Sequence, residues 1–504
     1  MRFLFVARHP GTLRHLQSTI RLLGARGHES VVAFAEPQRA SEAQRLLLER
    51  LEREAQGFSA RAGVPPGAGG DGAVGAALRC WLDYLRYFEP DMKSAAKLRE
   101  RAGKVVPDRL RAATDVAAKV PEFRQAFAVA LGTLERTLPV PDAFARVVDE
   151  EQPDAVVACT LLEKASPQVN YLRAAAARGI PTAVMVASWD NLTTKGLIRE
   201  AVDLVAVWNP AQLRELVELH RVPVESVAVT GASLYDEWFG RGPATSREEF
   251  CARAGLNPER PYLLYVCSSN FIAPDEAAWI RRWLSRVRGA GRPELENVQV
   301  LVRPHPQKPL DRLEDEAGAR LPDGSGVAIF PRHGADVVDE ASLAAYYDSI
   351  YHAAAVVGVN TSAMIESALV GRGVYVLLGK RYQATQEALP HFAHLRGAGG
   401  GLIHATADLG EHAAALARAL TGEDRSEAGD RARAFLADFV RPNGLDQPAT
   451  PLLVDALEAL ARRPRQPPEL SPGLPAQWVE RMDADLQPIL VPEARAPGKA
   501  KRRS

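Results

Sequence analysis

The sequence predicts an α/β protein built from two doubly wound domains in series. Apolar strands at residues 2–7 and 30–35 flank a helix at about 13–26, which makes one β-α-β unit. Because parallel strands need such crossover connections, this unit predicts a parallel sheet. The same alternation of short apolar runs and helical stretches returns at about 155–230 and starts afresh at Tyr262. We therefore expect two parallel sheets, one in each half of the chain.

The alternation divides the chain into domains. We expect a first Rossmann-like domain at 1–240 with a helical insertion at about 37–140, a linker at 241–261, a second Rossmann-like domain at 262–430, C-terminal helices at 431–462 packing back toward the first domain, and a disordered tail at 463–504. Two such domains facing each other enclose a cleft between the carboxyl ends of their strands. Ligands of open α/β sheets bind at those ends.

The overall composition excludes several classes of protein. The 504 residues carry 62 basic and 62 acidic side chains, and a net charge near zero argues against a dedicated nucleic-acid binder. The four cysteines are far apart, so neither a disulfide framework nor a zinc site is predicted. Neither a signal peptide nor a spanning segment is evident, so we expect a cytoplasmic protein, with peripheral contact at the inner face of the membrane left open.

The most informative polar cluster follows the predicted strand at 355–359. Asn360, Thr361 and Ser362 lie between this strand and the helix that follows it. Glu366 lies one turn further into that helix. A helix start offers free backbone N–H groups and the positive end of the helix dipole, so it suits a phosphate. Glu366 is placed to accept hydrogen bonds from a pair of sugar hydroxyls. The alternative is that these residues only cap the helix.

Two further clusters follow strands of the second domain. Ser268 and Ser269 come after the strand at 262–267, where small hydroxyl residues meet a phosphate or, equally, cap a helix. Arg303 and His305 follow the next strand, and the prolines beside His305 hold the backbone extended. Arginine pairs well with phosphate, and histidine donates to it or exchanges a proton. These clusters should converge on one place.

The first domain carries a dense polar loop at 187–196, directly after the predicted strand at 181–186. Asp190 is a candidate general base, Trp189 a stacking platform, and Lys195 an anion contact, with Asn191 beside them. The alternative is a well-capped loop in which Asp190 or Asn191 is the N-cap.

A weaker cluster follows the first strand, where Pro10 and Gly11 shape a turn and either His9 or His15 is expected to point near the cleft. A lone histidine is more often structural than catalytic. His391 and His394 stand three apart without an evident third ligand, so no metal site is predicted. The nucleophile-elbow, zinc-protease, P-loop and dinucleotide-binding motifs are missing from their expected places.

The second-domain clusters together resemble the donor half of GT-B glycosyltransferases. The closest motifs are those of CDP-glycerol glycerophosphotransferases of bacterial wall-polymer synthesis. That family has a Trp-His-Gly-Thr-x-x-Lys loop, an Arg-x-His-Pro strand end and an Asp-Tyr-Ser-Ser turn. Residues 188–195, 303–306 and 359–362 look like these three motifs in turn. Asp190 replaces the loop histidine of that family, which keeps a proton acceptor with a different pKa and reach.

A second resemblance concerns residues 227–236. Val227 to Gly231, followed by Asp236, looks like the Val-Thr-Gly…Asp segment of UDP-sugar 2-epimerases, which share the GT-B fold.

These resemblances imply a metal-independent transferase without a cofactor. It would move a sugar or a polyol phosphate from a nucleotide-activated donor to a glycan or glycolipid acceptor in surface polysaccharide biosynthesis, without a nucleic-acid partner. The implied donor residues are Ser268, Ser269, Asn360, Thr361, Ser362 and Glu366; the catalytic residues are Asp190, Arg303 and His305; the acceptor-side residues are His9, Gly11, Trp189, Asn191 and Lys195. Two alternatives remain: a sugar-nucleotide epimerase of the same fold, and a catalytically silent module that binds a glycan or scaffolds a complex.

Overall fold

Two parallel sheets form the framework of the protein. The computed structural model describes residues 1–66, 72–159, 162–163, 165–306, 326–332, 337 and 339–464. The first sheet has seven strands in the order β3-β2-β1-β4-β5-β6-β7. Its strands are β1 (Arg2–Ala7), β2 (Glu29–Phe34), β3 (Phe58–Ala62), β4 (Ala155–Ala158), β5 (Thr182–Met185), β6 (Leu204–Val207) and β7 (Val227–Val229).

The second sheet has six strands in the order β10-β9-β8-β11-β12-β13. Its strands are β8 (Tyr262–Val266), β9 (Gln299–Arg303), β10 (Val327–Ile329), β11 (Ala355–Gly358), β12 (Val374–Leu377) and β13 (Ile403–Thr406). In each sheet the strand order reverses beside its first strand, between β1 and β4 and between β8 and β11. Such reversal points open a crevice at the carboxyl ends, where ligands bind. The predicted fold class, with two doubly wound domains, is confirmed.

Helices cover both faces of each sheet. Those that accompany the first sheet are α1 (Leu13–Ala25), α2 (Glu42–Glu54), α3 (Gly72–Leu85), α4 (Ala96–Gly103), α5 (Asp108–Ala117), α6 (Pro121–Thr137), α7 (Asp142–Glu151), α8 (Val169–Ala176), α9 (Asn191–Thr194) and α10 (Pro210–Glu215). The later ones are α11 (Arg247–Ala254), α12 (Glu276–Arg288), α13 (Pro293–Glu296), α14 (Glu340–Tyr351), α15 (Ala363–Leu369), α16 (Phe392–Gly397), α17 (Leu409–Thr421), α18 (Arg425–Phe435) and α19 (Ala449–Ala461).

Two edge strands were not predicted from the sequence. β3 lies inside the region predicted to be helical, and β13 lies beyond the last predicted strand. Both are short edge strands with few buried side chains, since only Phe58 of β3 and Ile403 of β13 are buried. They are held by backbone pairing to β2 and β12. Without an apolar run, neither strand leaves a clear pattern in the sequence. The insertion of helices α3–α6 therefore begins after β3.

The last helix, α19, returns to the first domain. Leu453, Val454 and Leu457 are buried in the same core cluster as Phe3 and Ile20. This is the crossing helix that the GT-B resemblance implies.

Asp236 fixes the point where the returning chain meets the first domain. Its carboxylate accepts hydrogen bonds from Arg441 Nη2 at 2.6 Å, from the backbone N–H groups of Ala449 and Thr450 at 3.0 and 2.6 Å, and from the Thr450 hydroxyl at 2.6 Å. Arg441 also lies 3.5 Å from the centroid of the Phe239 ring. Asp236 therefore caps α19 and pairs with a buried arginine at once.

Gly231 allows this close approach. Its φ is +88°, and a Cβ built on it would lie 2.8 Å from the Ala449 Cβ and 3.1 Å from the Val440 carbonyl oxygen. The next residue, Ala232, donates its N–H to the same carbonyl at 2.9 Å. The segment that resembles the epimerase motif is therefore the docking point of the crossing helix.

The tail predicted to be disordered falls mostly at residues 465–504, which lie outside the described residues. No helix among the described residues is long and apolar enough to cross a membrane. The predicted domain boundaries remain predictions.

We expect Gly231→Ala to lower the free energy of unfolding by about 2–4 kcal/mol, from left-handed strain and overpacking against α19. Gly240→Ala is the matched control, because Gly240 has φ +79° and no atom within 4 Å of the position that a Cβ would occupy. Gly240→Ala should lower the free energy of unfolding only by the backbone strain, about 1 kcal/mol. Urea denaturation of both variants measures the difference, and equal losses would contradict the docking role of Gly231.

Candidate functional site

A continuous cleft lies between the carboxyl ends of the two sheets. Three adjoining cavities of about 250, 610 and 200 Å³ fill it. His305 lines all three, so the Arg-x-His-Pro strand end stands at their junction. The first cavity faces the second domain, the next faces the end of β1, and the third lies between Asp190 and the start of α15. The predicted clusters of both domains meet here.

Arg303 presents a buried cation to the first cavity. Its side chain is only 7% exposed, and its guanidinium carbon lies 4.2 Å from the centroid of the Tyr346 ring. Burial lowers the pKa of Arg303, and Tyr346 and Glu366 oppose the shift. Its Nη1 has no hydrogen-bond partner within the described part of the chain. A buried, unpaired donor in a cleft is a site for an anionic oxygen.

Glu366 lies in the same cavity. Its carboxylate accepts a short hydrogen bond from the Tyr346 hydroxyl. Burial raises the pKa of Glu366, while Tyr346, Arg14 and Arg303 lower it. Arg303, Tyr346 and Glu366 thus form one network in the first cavity. The sequence did not point to Tyr346, because it sits within a helix and no local pattern marks it.

The hydroxyls of Thr361 and Ser362 also reach this cleft. Thr361 and Ser362 line both the first and the third cavity, at the start of α15. Ser269 lines the second and third cavities. Thr361 and Ser362 therefore share the first cavity with Arg303 and Glu366, and Ser269 lines the two cavities that adjoin it.

Ser268 and Asn360 are turned inward, which corrects their predicted role as direct phosphate ligands. Ser268 is fully buried, donates its N–H to Glu276 Oε2 at 2.8 Å, and accepts from the Asn360 N–H at 3.3 Å. Asn360 Nδ2 donates to the Thr385 carbonyl at 3.0 Å. These bonds tie the end of β8 to the end of β11. The side chains position the strand ends, and Asn360 contacts the third cavity only as part of its wall.

Asp190 stands on the opposite wall. Its carboxylate accepts from Ser188 Oγ at 2.7 Å, from Thr194 Oγ1 at 3.0 Å and from Asn191 Nδ2 at 3.4 Å. Burial alone would raise the pKa of Asp190, but His391, Lys195 and these hydroxyls bring it below its ordinary value. Asp190 is therefore an ionised carboxylate at neutral pH.

His391 adjoins Asp190 and was not predicted as a site residue. Burial lowers its pKa to about 4, which Asp190 opposes. His391 and Asp190 each favour the charged form of the other. His391 Nε2 lies 3.3 Å from Asn360 Nδ2, while its buried Nδ1 has no partner among the described residues.

The helical insertion holds the Asp190 loop in place. Arg86, which is buried, donates to the carbonyl oxygens of Leu192 at 2.6 Å and Lys195 at 3.0 Å. Arg101, from α4, donates to the carbonyl of Thr194 at 2.6 Å and lines the third cavity. Because these contacts join segments about 100 residues apart, no spacing in the sequence reveals them.

Trp189 does not present the open stacking face that was predicted. Its indole is only 3% exposed and packs edge-on against His391, with ring centroids 4.9 Å apart. The indole N–H donates to Ser362 Oγ at 3.0 Å. Trp189 therefore links the first domain to the start of α15 across the cleft.

His9 and Gly11 lie in the second cavity, as do Asn191 and Lys195. His9 Nδ1 accepts from the Gly11 N–H at 3.1 Å, and burial lowers the pKa of His9. A Cβ on Gly11 would lie 2.7 Å from the His9 ring. The cavity thus combines the imidazole of His9, which a backbone N–H holds in place, with the ammonium group of Lys195. Across the described ranges, no group of three metal-ligating side chains is placed to hold an ion.

Comparisons with known proteins identify the fold. No sequence-family model and no curated protein matches the chain. Among solved structures, a protein assigned as a UDP-N-acetylglucosamine 2-epimerase from Listeria monocytogenes matches with a TM-score of 0.50 at 11% identity, covering 94% of this chain and 99% of that one. A glycosyltransferase from Rickettsia africae matches with a TM-score of 0.51 at 9% identity, covering 92% and 99%. The chain therefore has the GT-B fold.

We expect Glu366→Gln to raise the thermal midpoint of the ligand-free protein at neutral pH. Because burial raises the pKa of Glu366, wild-type stability falls as pH rises from the unfolded value of about 4.5 through the folded pKa. Glutamine does not titrate, so the advantage of the variant should vanish below about pH 4.5. Thermal unfolding across pH measures this. A midpoint below wild type at pH 7, or a difference independent of pH, would contradict the expected burial cost.

Proposed function

We propose that this protein is a GT-B transferase that moves a sugar or a polyol phosphate from a nucleotide-activated donor to a glycan or glycolipid acceptor. The observation that carries the proposal is the Arg303–Tyr346–Glu366 network in a cleft between two doubly wound domains. The network combines a buried cation that has an unpaired donor with a carboxylate that can accept hydrogen bonds from hydroxyls. The cation matches the anionic diphosphate of a nucleoside diphosphate, and the carboxylate matches its vicinal diol.

The donor would lie along the second domain. Glu366 accepts hydrogen bonds from the ribose hydroxyls, and Thr361, Ser362 and Ser269 meet the phosphates. Arg303 and His305 stabilise the charge that develops on the leaving diphosphate. Preorganised donors of this kind supply a large part of catalysis, because they need no reorganisation during the reaction. Ser268 and Asn360 support this site indirectly, through the strand ends that they join.

The acceptor would enter from the first domain, through the cavity lined by His9, Gly11, Asn191 and Lys195. Asp190 accepts the proton of the acceptor hydroxyl as it attacks the donor. Its ionised state at neutral pH suits this role, although its hydrogen bonds to Ser188 and Thr194 moderate its basicity. Neither a metal nor a cofactor enters this scheme. Closure of the cleft brings the two substrates together and excludes water.

Nucleotide binding is the first test of the proposal. We expect one of UDP, CDP, GDP or dTDP, or a sugar or glycerol conjugate, to raise the thermal midpoint, because a ligand that binds the native state stabilises it. Glu366→Ala should abolish the shift. Gln17→Ala, at the rim of the same cavity, serves as the matched control and should retain it. If no nucleotide shifts the wild type, the transferase proposal fails and a catalytically silent GT-B module takes its place.

Turnover tests the role of Asp190. We expect Asp190→Asn to lower kcat by at least about a hundredfold, because the amide cannot accept the proton, while the nucleotide shift is preserved. Donor consumption in the presence of acceptor measures the rate. Full activity of the variant would overturn the assignment of Asp190 as the base.

The epimerase alternative is tested without an acceptor. An epimerase converts a UDP-sugar alone, whereas a transferase needs an acceptor for transfer. The segment that resembles the epimerase motif does not favour that activity, because Asp236 and Gly231 serve to dock α19. Conversion of a UDP-sugar by the protein alone would nevertheless replace the transferase proposal.

A further inference from the structure

The helical insertion carries an unusual concentration of exposed apolar side chains. Nine large hydrophobic residues of the described chain are exposed, and five of them lie between positions 105 and 129. They are Val105, Val116, Val120, Phe123 and Val129, with exposures of 41, 69, 52, 53 and 66%. We call these five residues the insertion patch. Surface apolar residues scattered singly are ordinary, but such clustering marks an interaction site.

The sequence around the insertion patch has an excess of positive charge. Residues 93–124 contain nine Lys and Arg but only four Asp and Glu, a net charge of +5 in a chain whose total is zero. Lys104 and Lys119, both exposed, directly precede Val105 and Val120. Lys104 and Lys119 line the same groove, so Val105 and Val120 follow two cations that face one place. Apolar side chains beside lysines suit a bilayer, which has an apolar interior and an anionic surface.

A groove of about 420 Å³ lies among these cations, between α3, α4 and α5. Arg99, Lys104, Arg111 and Lys119 line it on the polar side, and Phe88 lines its floor. Arg99 lies 5.2 Å from the Phe88 ring centroid. Four cations around an apolar floor are suited to a phosphate head group whose carbon chain continues into apolar surroundings.

Two carboxylates, Glu100 and Asp115, also line the groove. Glu100 accepts a hydrogen bond from Lys97 Nζ at 2.8 Å and pairs with Lys104 Nζ at 3.5 Å, and Asp115 accepts one from the Tyr84 hydroxyl. Both carboxylates are thus already engaged by neighbouring side chains. The cations still outnumber them, so the groove keeps a positive balance.

We propose that the insertion patch docks the protein on an anionic lipid bilayer and that the groove takes a lipid phosphate. The inference rests on the proposed function, because it makes the acceptor a membrane-borne lipid-linked molecule. Arg101 connects the two sites: α4 ends at Gly103, next to Lys104 and Val105, while Arg101 on that helix bonds the Asp190 loop and lines the cleft. A bound bilayer would therefore lie beside the acceptor side of the cleft.

The composition of the patch favours a bilayer over a protein partner. Protein interfaces depend mainly on Trp, Tyr and Arg anchors in desolvated pockets and are depleted of lysine. The insertion patch instead consists of valines and one phenylalanine with lysines as neighbours. Lysine attracts an anionic surface over a distance and needs no fixed partner, because its flexible stem lets the ammonium stay in water.

Vesicle sedimentation of the full chain tests the proposal. We expect the protein to pellet with phosphatidylglycerol-containing vesicles at low salt, to remain free with pure phosphatidylcholine vesicles, and to dissociate as salt screens the charges. Lys104→Glu/Lys119→Glu and, separately, Val120→Ser/Phe123→Ser should each weaken binding by more than about tenfold.

The control variant is Val217→Ser/Val224→Ser, which removes two exposed valines of the first domain outside the insertion. It should bind vesicles as the wild type does. Thermal midpoints confirm that all variants fold, and the nucleotide shift should persist in each of them, which separates this test from that of the proposed function. Absence of wild-type binding to anionic vesicles would overturn the proposal. So would binding that survives both insertion variants, or capture of a protein partner by the patch in place of vesicles.

Discussion

The arrangement of the two domains depends on the carboxylate of Asp236. It accepts five hydrogen bonds from the returning chain, two from backbone N–H groups at the start of α19, one from a hydroxyl and two from the Arg441 guanidinium. A charged acceptor with this many donors is strong, because each bond to an ionised group is stronger than a neutral one. The chain leaves the first domain near this residue and comes back to it. The return of the chain to the first domain is therefore fixed at a point outside the cleft.

The strand order could be anticipated in outline, because buried parallel strands are continuous apolar runs. β1, β8 and β11 each appear in the sequence as such a run, followed by polar residues. β3 and β13 do not, since an edge strand buries one face or less and is held by its neighbour's backbone. Propensity alone places β3 in a helical region, and only the pairing with β2 makes it a strand.

The place of the site could also be predicted from the apolar strands, whereas the direction of its side chains could not. Parallel strands bring their carboxyl ends to one edge, so Arg303, His305 and Glu366 could be assigned to one cleft from sequence alone. The direction of a side chain could not be. Ser268 and Asn360 follow the right strands but point inward, where the Ser268 hydroxyl accepts from the Asn360 N–H and the Asn360 amide donates to the Thr385 carbonyl. Tyr346 and His391 reach the cleft from helices or their ends, through packing that no local pattern encodes.

Arg86 and Arg101 bind the backbone carbonyl groups of residues 192, 194 and 195, so this loop cannot be exchanged between proteins independently of the insertion. The loop and the insertion are two stretches of sequence but one physical unit, since exchanging either alone leaves buried carbonyls or buried guanidinium groups without partners. A chimera that borrows the Asp190 loop from a relative must borrow the insertion with it. The loop and the surface that the insertion presents to its surroundings are thus inherited together.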